Sequence, residues 1–229
     1  MQNIISPLGL VALLNGTDPC TQPPSVDRVP RETTVRRHGH LLTRESPVPA
    51  VIFEMFHLNN PDAVAHYSTP CGMRGLMSAL AQGILAYNDF SVVYVDEGHG
   101  RRDQGFTRGV GGIPEYQFTH TAADLLEEIL REQGVATIRL RHDEMYPAVA
   151  HVPVNRRRAQ LRALLGHVEP GGILVSLHAN NEPSLGTRNL APWSFYAQDH
   201  SQALARMINE PTTKYFCGVF PTACRDLEQ

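Results

Sequence analysis

Three short apolar runs, Ala50–Phe56 ("AVIFEMF"), Ser91–Val95 ("SVVYV") and Gly171–Leu177 ("GGILVSL"), alternate with segments of helical periodicity, and this alternation constrains the fold more than any other feature. Runs of this length, bounded by turn residues, read as buried strands, whereas apolar residues at i, i+3, i+4 read as helices packed on a sheet. Gly72–Tyr87 carries such a stripe in Leu76, Leu80, Ile84 and Leu85. Further helical segments are expected from Glu115, ended by Gly134, from Val154 to His167, and over Ser201–Glu210. Asn60-Pro61-Asp62 is a helix start, with Asn60 as cap and Pro61 in the first turn. Val35–Thr43 ("VRRHGHLLT") reads as an amphipathic strand, Val135–Leu140 ("VATIRL") and "WSFYA" as two more. The expected fold is a single α/β domain spanning residues 1–229, with a mixed central sheet of about six strands flanked by helices.

Composition excludes several functions. The chain is 42% hydrophobic and 19% charged, with a net charge of -3 and a pI near 6.4. No nucleic-acid partner is expected from such a balance. Arg156–Arg158 is explained as a solvated helix face. The apolar stretch "IISPLGLVALLNG" is too short for a membrane span, and no Lys or Arg precedes it, so neither a membrane span nor an export signal is expected. The four cysteines, Cys20, Cys71, Cys217 and Cys224, lack metal-site spacing; for Cys20, Cys217 and Cys224, near the chain ends, free thiols are the default expectation and a disulfide stapling the ends the alternative.

Polar residues collect where strands run out, which is where α/β sheets place their sites. His99 follows "VVYVDEG", Glu115 opens a helix, and His178 ends "ILVSLHA". Two imidazoles and a carboxylate make the open three-ligand set of catalytic zinc. Glu54 is a further oddity, a carboxylate within an apolar strand, where an ionised side chain is costly unless compensated. A carboxylate beside a metal site is what metal-assisted hydrolysis requires as proton carrier. Each residue also has an ordinary reading. Glu115 complements a helix dipole, His178 fills a core position, and Glu54 sits at a strand end in water.

The segments "VVYVDEGHGRRDQG", "GIPEYQFTHTAADLLEEILREQGV" and "GGILVSLHANN" resemble the successive motifs of the zinc-dependent N-acetylmuramoyl-L-alanine amidases, a family of cell-wall amidases. Those motifs read D-P-G-H-G-G-x-D-x-G, a Glu opening a helix, and S-[IL]-H-A-N. The resemblance implies that His99, Glu115 and His178 hold Zn2+, that Glu54 is the general base and acid, and that the substrate is peptidoglycan. It extends to "VNRRRAQLRALLG" and "SQALARMINE". Glu97 departs from the usual Pro, Arg101 from the second Gly, and Tyr116 stands where the family often has Lys. Asn180 is expected to shape the site, Asp96 to orient a ligand His by a hydrogen bond, and His57 to support a ligand from behind, to contact substrate or simply to pack.

The strand carrying Glu54 resembles the end of that family's domain, P-A-V-L-x-E-x-G-F-x-S-N followed by N-P-x-D and a helix, yet here it comes first. Circular permutation accounts for this, residues 30–88 corresponding to the family's C-terminal part and 91–210 to its N-terminal part, with residues 1–29 and 211–229 as loop-like new termini. Two incomplete domains that complete each other between protomers, or a chain that does not fold, are the alternatives, and both separate Glu54 from His99 and His178 within one chain. A catalytically silent peptidoglycan-binding or regulatory module is the alternative function. A zinc carboxypeptidase is disfavoured because no H-x-x-E surrounds His99.

Overall fold

The computed structural model describes residues 35–100, 105, 110–140, 154–181, 192–221 and 224. The expectations for the Pro-rich segment at 15–34, the N-terminal apolar stretch, Cys20 and Arg101 lie outside those residues.

Six strands form one mixed sheet: β1 (Val35–Arg37), β2 (Ala50–His57), β3 (Val92–Glu97), β4 (Ala136–Arg139), β5 (Gly172–Asn180) and β6 (Trp193–Tyr196). Their spatial order is β1-β6-β2-β5-β3-β4. β2, β5, β3 and β4 run parallel, and β6 is antiparallel to β2. The first strand to carry a site residue thus occupies the middle of the sheet, which is why "AVIFEMF" is apolar on both faces.

The described helices are α1 (Leu41–Glu45), α2 (Pro61–Tyr67), α3 (Pro70–Tyr87), α4 (Glu115–Glu132), α5 (Val154–Leu165) and α6 (Gln202–Val219). One face of the sheet, with Val51, Phe53, Val93, Val95, Ile173 and Val175, packs on α2, α3, α4 and α6. The other, with Ala50, Tyr94 and Leu174, packs on α1 and α5. Asn60 caps α2 as expected, its Oδ1 accepting from the Ala63 N–H at 2.8 Å. α3 begins two residues before the expected Gly72, capped by Thr69, and buries Leu76, Leu80 and Ile84, whereas Leu85 is half-buried. None of the described helices is long and apolar enough to cross a membrane.

Three expectations are corrected. The amphipathic strand over 35–43 stops at Arg37, and Leu41–Glu45 turns into α1. Leu41 and Leu42 are adjacent and both buried, which a strand with one covered face cannot achieve. The segment after Glu210 is not loop-like as far as Val219, because α6 continues through Pro211. Pro211 cannot donate to the Met207 carbonyl one turn back. Thr212 Oγ1 donates to the next carbonyl, that of Ile208, at 2.9 Å, and the Met207 carbonyl lies against Gly83 of α3. Finally, Cys217 and Cys224 are not the expected free thiols but pair with each other, and Cys71 is also disulfide-bonded, so no described cysteine is free.

The α3–α6 contact depends on Gly83. A Cβ there would collide with the Met207 carbonyl and the Ile208 backbone, neither of which is a movable side-chain tip. Gly83→Ala is therefore expected to lose roughly 1–3 kcal/mol in urea unfolding, although alanine is the better helix former.

Candidate active site

Glu54 is set by sheet register. On β2 it lies opposite His178 of β5 on one side and opposite Trp193 of β6 on the other, so three adjacent strands present these residues at one level. β2 slips its register with β5 between Glu54 and His57, just where the strand leaves the core. Glu54 keeps some contact with solvent as a residue, but its Oε2 is enclosed and has no hydrogen-bond partner among the described residues. Burial raises its pKa to about 7, opposed by the positive charge of His178 and His99 and reinforced by the negative charge of Glu115. A buried carboxylate without a donor is a polar group kept for chemistry more often than for stability.

His99 leaves β3 with φ of 69°, a left-handed conformation uncommon outside glycine. Thr119, one turn along α4 from Glu115, fixes the preceding residue by donating to the Gly98 carbonyl at 2.6 Å. Glu115 itself is buried at the first turn of α4, where its Oε1 accepts from the Ala179 backbone N–H at 3.1 Å. The same oxygen meets His178 Nδ1 at 3.1 Å, and Oε2 meets His99 Nε2 at 3.3 Å. Burial pushes the Glu115 carboxyl up, but hydrogen bonds from His178 and His99 outweigh it and hold the group far below the usual carboxylate range.

One ligand atom each from His99, Glu115 and His178 lies within 4.8 Å of the other two. Tetrahedral zinc with ligands at about 2.0–2.2 Å separates neighbouring donors by roughly 3.3–3.5 Å. The His99–Glu115 separation of 3.3 Å meets that spacing, and the His178–Glu115 separation of 3.1 Å, to the other carboxylate oxygen, is slightly shorter. The wall around the cluster is equally specific, because a Cβ at Gly105, where φ is 65°, would strike the Glu115 carboxylate and the His99 ring. Only glycine combines that backbone with that clearance. The donor chemistry, the spacing and the glycine clearance all fit a zinc ion.

The remaining expected residues divide. Asp96 is buried and accepts from Ser176 Oγ, a bond between β3 and β5. Asn180 ends β5, and its carbonyl accepts from the Leu58 N–H. His57 is 1% exposed, which suits packing and not substrate contact.

Sequence reasoning missed the group around Glu97. This buried carboxylate accepts from Arg139 Nη1 at 3.0 Å and lies 2.9 Å from His120 Nδ1. Arg139, at the end of β4, also reaches Asp124 and Glu127 of α4. The replacement of Pro by Glu in the first motif is thereby explained, since Glu97 ties β3, β4 and α4 together directly behind His99. An acidic residue at the end of "VVYVDE" was the available signal. Its partners, 23 and 42 residues away, were not.

The family profile described as N-acetylmuramoyl-L-alanine amidase matches residues 93–217, more than half of the chain. No curated protein and no solved structure matches. The matched region begins inside β3 and ends near the close of α6, so it contains His99, Glu115 and His178 but not Glu54.

Proposed function

This chain belongs to the N-acetylmuramoyl-L-alanine amidase family, and on that premise we propose that it is a zinc-dependent hydrolase of the amide between N-acetylmuramic acid and L-alanine in peptidoglycan. His99, Glu115 and His178 would hold the ion. Bound there, zinc supplies Lewis acidity for the scissile carbonyl and for the attacking water. Without the ion, Glu115 is held ionised by hydrogen bonds from the two imidazoles, so it would bring negative charge to the ligand set when those ring nitrogens turn to the metal. Glu54 takes a proton from the attacking water and returns it to the departing amide nitrogen. Burial raises the Glu54 carboxyl well above the usual carboxylate range in the metal-free protein, which favours the return of the proton after it has been taken up.

The observation that carries this reading is the approach of Glu54 to the cluster within one chain. Glu54 and His178 are cross-strand partners, and Glu54 feels the charges of all three proposed ligands. The same approach favours circular permutation, again as a proposal, over two incomplete domains exchanged between protomers. In that view β2, α2 and α3 are the family's closing elements, joined to β3 through a link at residues 88–91.

Metal removal tests the function. Dialysis against a chelator is expected to abolish release of L-alanyl peptides from purified peptidoglycan, and one equivalent of zinc to restore it. Zinc bound by the wild type without any peptide release would overturn the hydrolase reading in favour of a binding module.

A further inference from the structure

Trp193, the chain's one tryptophan, stands beside the proposed base. It is the β6 partner of Glu54 in an antiparallel pair, and directly opposed residues in such a pair point to the same face with Cβ atoms about 4.5–5.5 Å apart. The indole is held by its neighbours. The Arg36 guanidinium carbon lies 4.4 Å from the ring centroid, a cation–π arrangement. Phe195 meets the indole edgewise at 5.9 Å, and His38 meets Phe195 in the same manner at 5.7 Å. Trp193 nevertheless remains only half-buried. A stiffened aromatic surface, partly open to solvent and one strand from Glu54 with His178 on the next, is more than packing on the sheet needs.

Resting on the hydrolase reading above, we propose that Trp193 forms the subsite for the muramoyl sugar ring of the substrate. On its acyl side the scissile amide is joined to a pyranose by a lactyl ether only a few bonds long. The ring must therefore lie close to the reacting carbonyl, at a distance comparable to one strand spacing, ~4.8 Å. The step from Glu54 to Trp193 is one strand. A pyranose offers a flat face of C–H groups, which an immobilised indole covers at little entropic cost. The peptide stem on the other side of the amide is flexible and acidic, and gains less from a flat apolar surface.

The lone tryptophan makes the test direct. The zinc-loaded Glu54→Gln variant is titrated with N-acetylmuramoyl-L-alanyl-D-isoglutamine and with lactoyl-L-alanyl-D-isoglutamine, which lacks the sugar, while indole emission is followed. The muramoyl ligand is expected to shift the emission saturably and to bind about 10-fold more tightly than the lactoyl one. In turnover, Trp193→Ala is expected to raise KM about 10-fold for the muramoyl substrate only, and Trp193→Phe to retain most of the affinity. Equal emission changes with both ligands would assign the subsite to the peptide stem and overturn the proposal, as would no change with either. The binding measurement does not depend on cleavage. An inactive wild type with sugar-dependent emission would therefore count against the hydrolase and for the subsite, and an active wild type with indifferent emission the reverse.

Discussion

Glu54→Gln is expected to lower kcat by about 10²–10⁴-fold, the usual contribution of a positioned general acid–base, while zinc content stays at one per chain. Glutamine keeps the shape of the side chain and removes only the proton chemistry, so a loss of that size with the metal retained separates proton transfer from metal binding. The wild-type pH profile should carry an acid limb, because Glu54 must be ionised to accept a proton. Without the ion its pKa is about 7, and a divalent cation beside it draws this value down. The limb therefore falls below pH 7 in the loaded enzyme and is absent from the residual activity of the glutamine variant. Stability of the metal-free protein should move the opposite way. A carboxyl whose folded pKa lies above its unfolded value binds more protons when folded, so it lowers stability as pH rises from about 4.5 through 7. Above pH 7, metal-free Glu54→Gln should be more stable than the wild type, by at most ~3.5 kcal/mol. Zinc analysis, peptide-release kinetics and urea unfolding at pH 5 and pH 8 check these results. Full activity in the variant would remove Glu54 from the mechanism.

Sequence reading singles out His99, Glu115 and His178 because each lies near a strand end or a helix start, where local pattern marks the boundary, and Glu54 because it interrupts an apolar run; their roles rest on the family resemblance. That they meet is a property of sheet order. Nothing in "VIFEMF" states that β2 lies between β5 and β6, and only that placement puts Glu54 opposite His178. The errors have the same origin. "VRRHGHLLT" alternates well enough to pass for a strand, and what breaks it at His38 is the demand of the α5 side of the sheet for Leu41 and Leu42 together. Pro211 read as a stop because its cost to a helix is local, whereas the packing of α6 on α3 that sustains the helix is not. Glu97 was read as a departure from a motif, and its meaning depended on Arg139 and His120. Trp193 carried no local signal at all, being one aromatic in a short apolar run.

Arg139→Met is expected to destabilise the protein by about 3–5 kcal/mol, the cost of leaving one member of a buried ion pair without the other. Glu97 is 3% exposed and the Arg139 side chain 8%, so water cannot replace the lost partner. His120 remains against Glu97, and its role carries a definite pH sign. The hydrogen bond to Glu97 raises the pKa of His120 above 6.5, with burial opposing and Asp124 assisting. A histidine with a raised folded pKa contributes stability that is complete below about pH 6.5 and is lost as pH climbs through the raised value. In Arg139→Met this contribution becomes the main compensation for Glu97, so the variant should weaken further between pH 6 and pH 9 than the wild type does. Removing the buried charge as well, in Arg139→Met with Glu97→Gln, should recover much of the loss and flatten the pH dependence, because the remaining amide no longer demands a cation. Urea unfolding of the three proteins at pH 6 and pH 9 measures all of these quantities. A single variant as stable as the wild type would mean that the tie between β3, β4 and α4 behind His99 lies elsewhere, in the Thr119–Gly98 bond and the apolar contacts of α4.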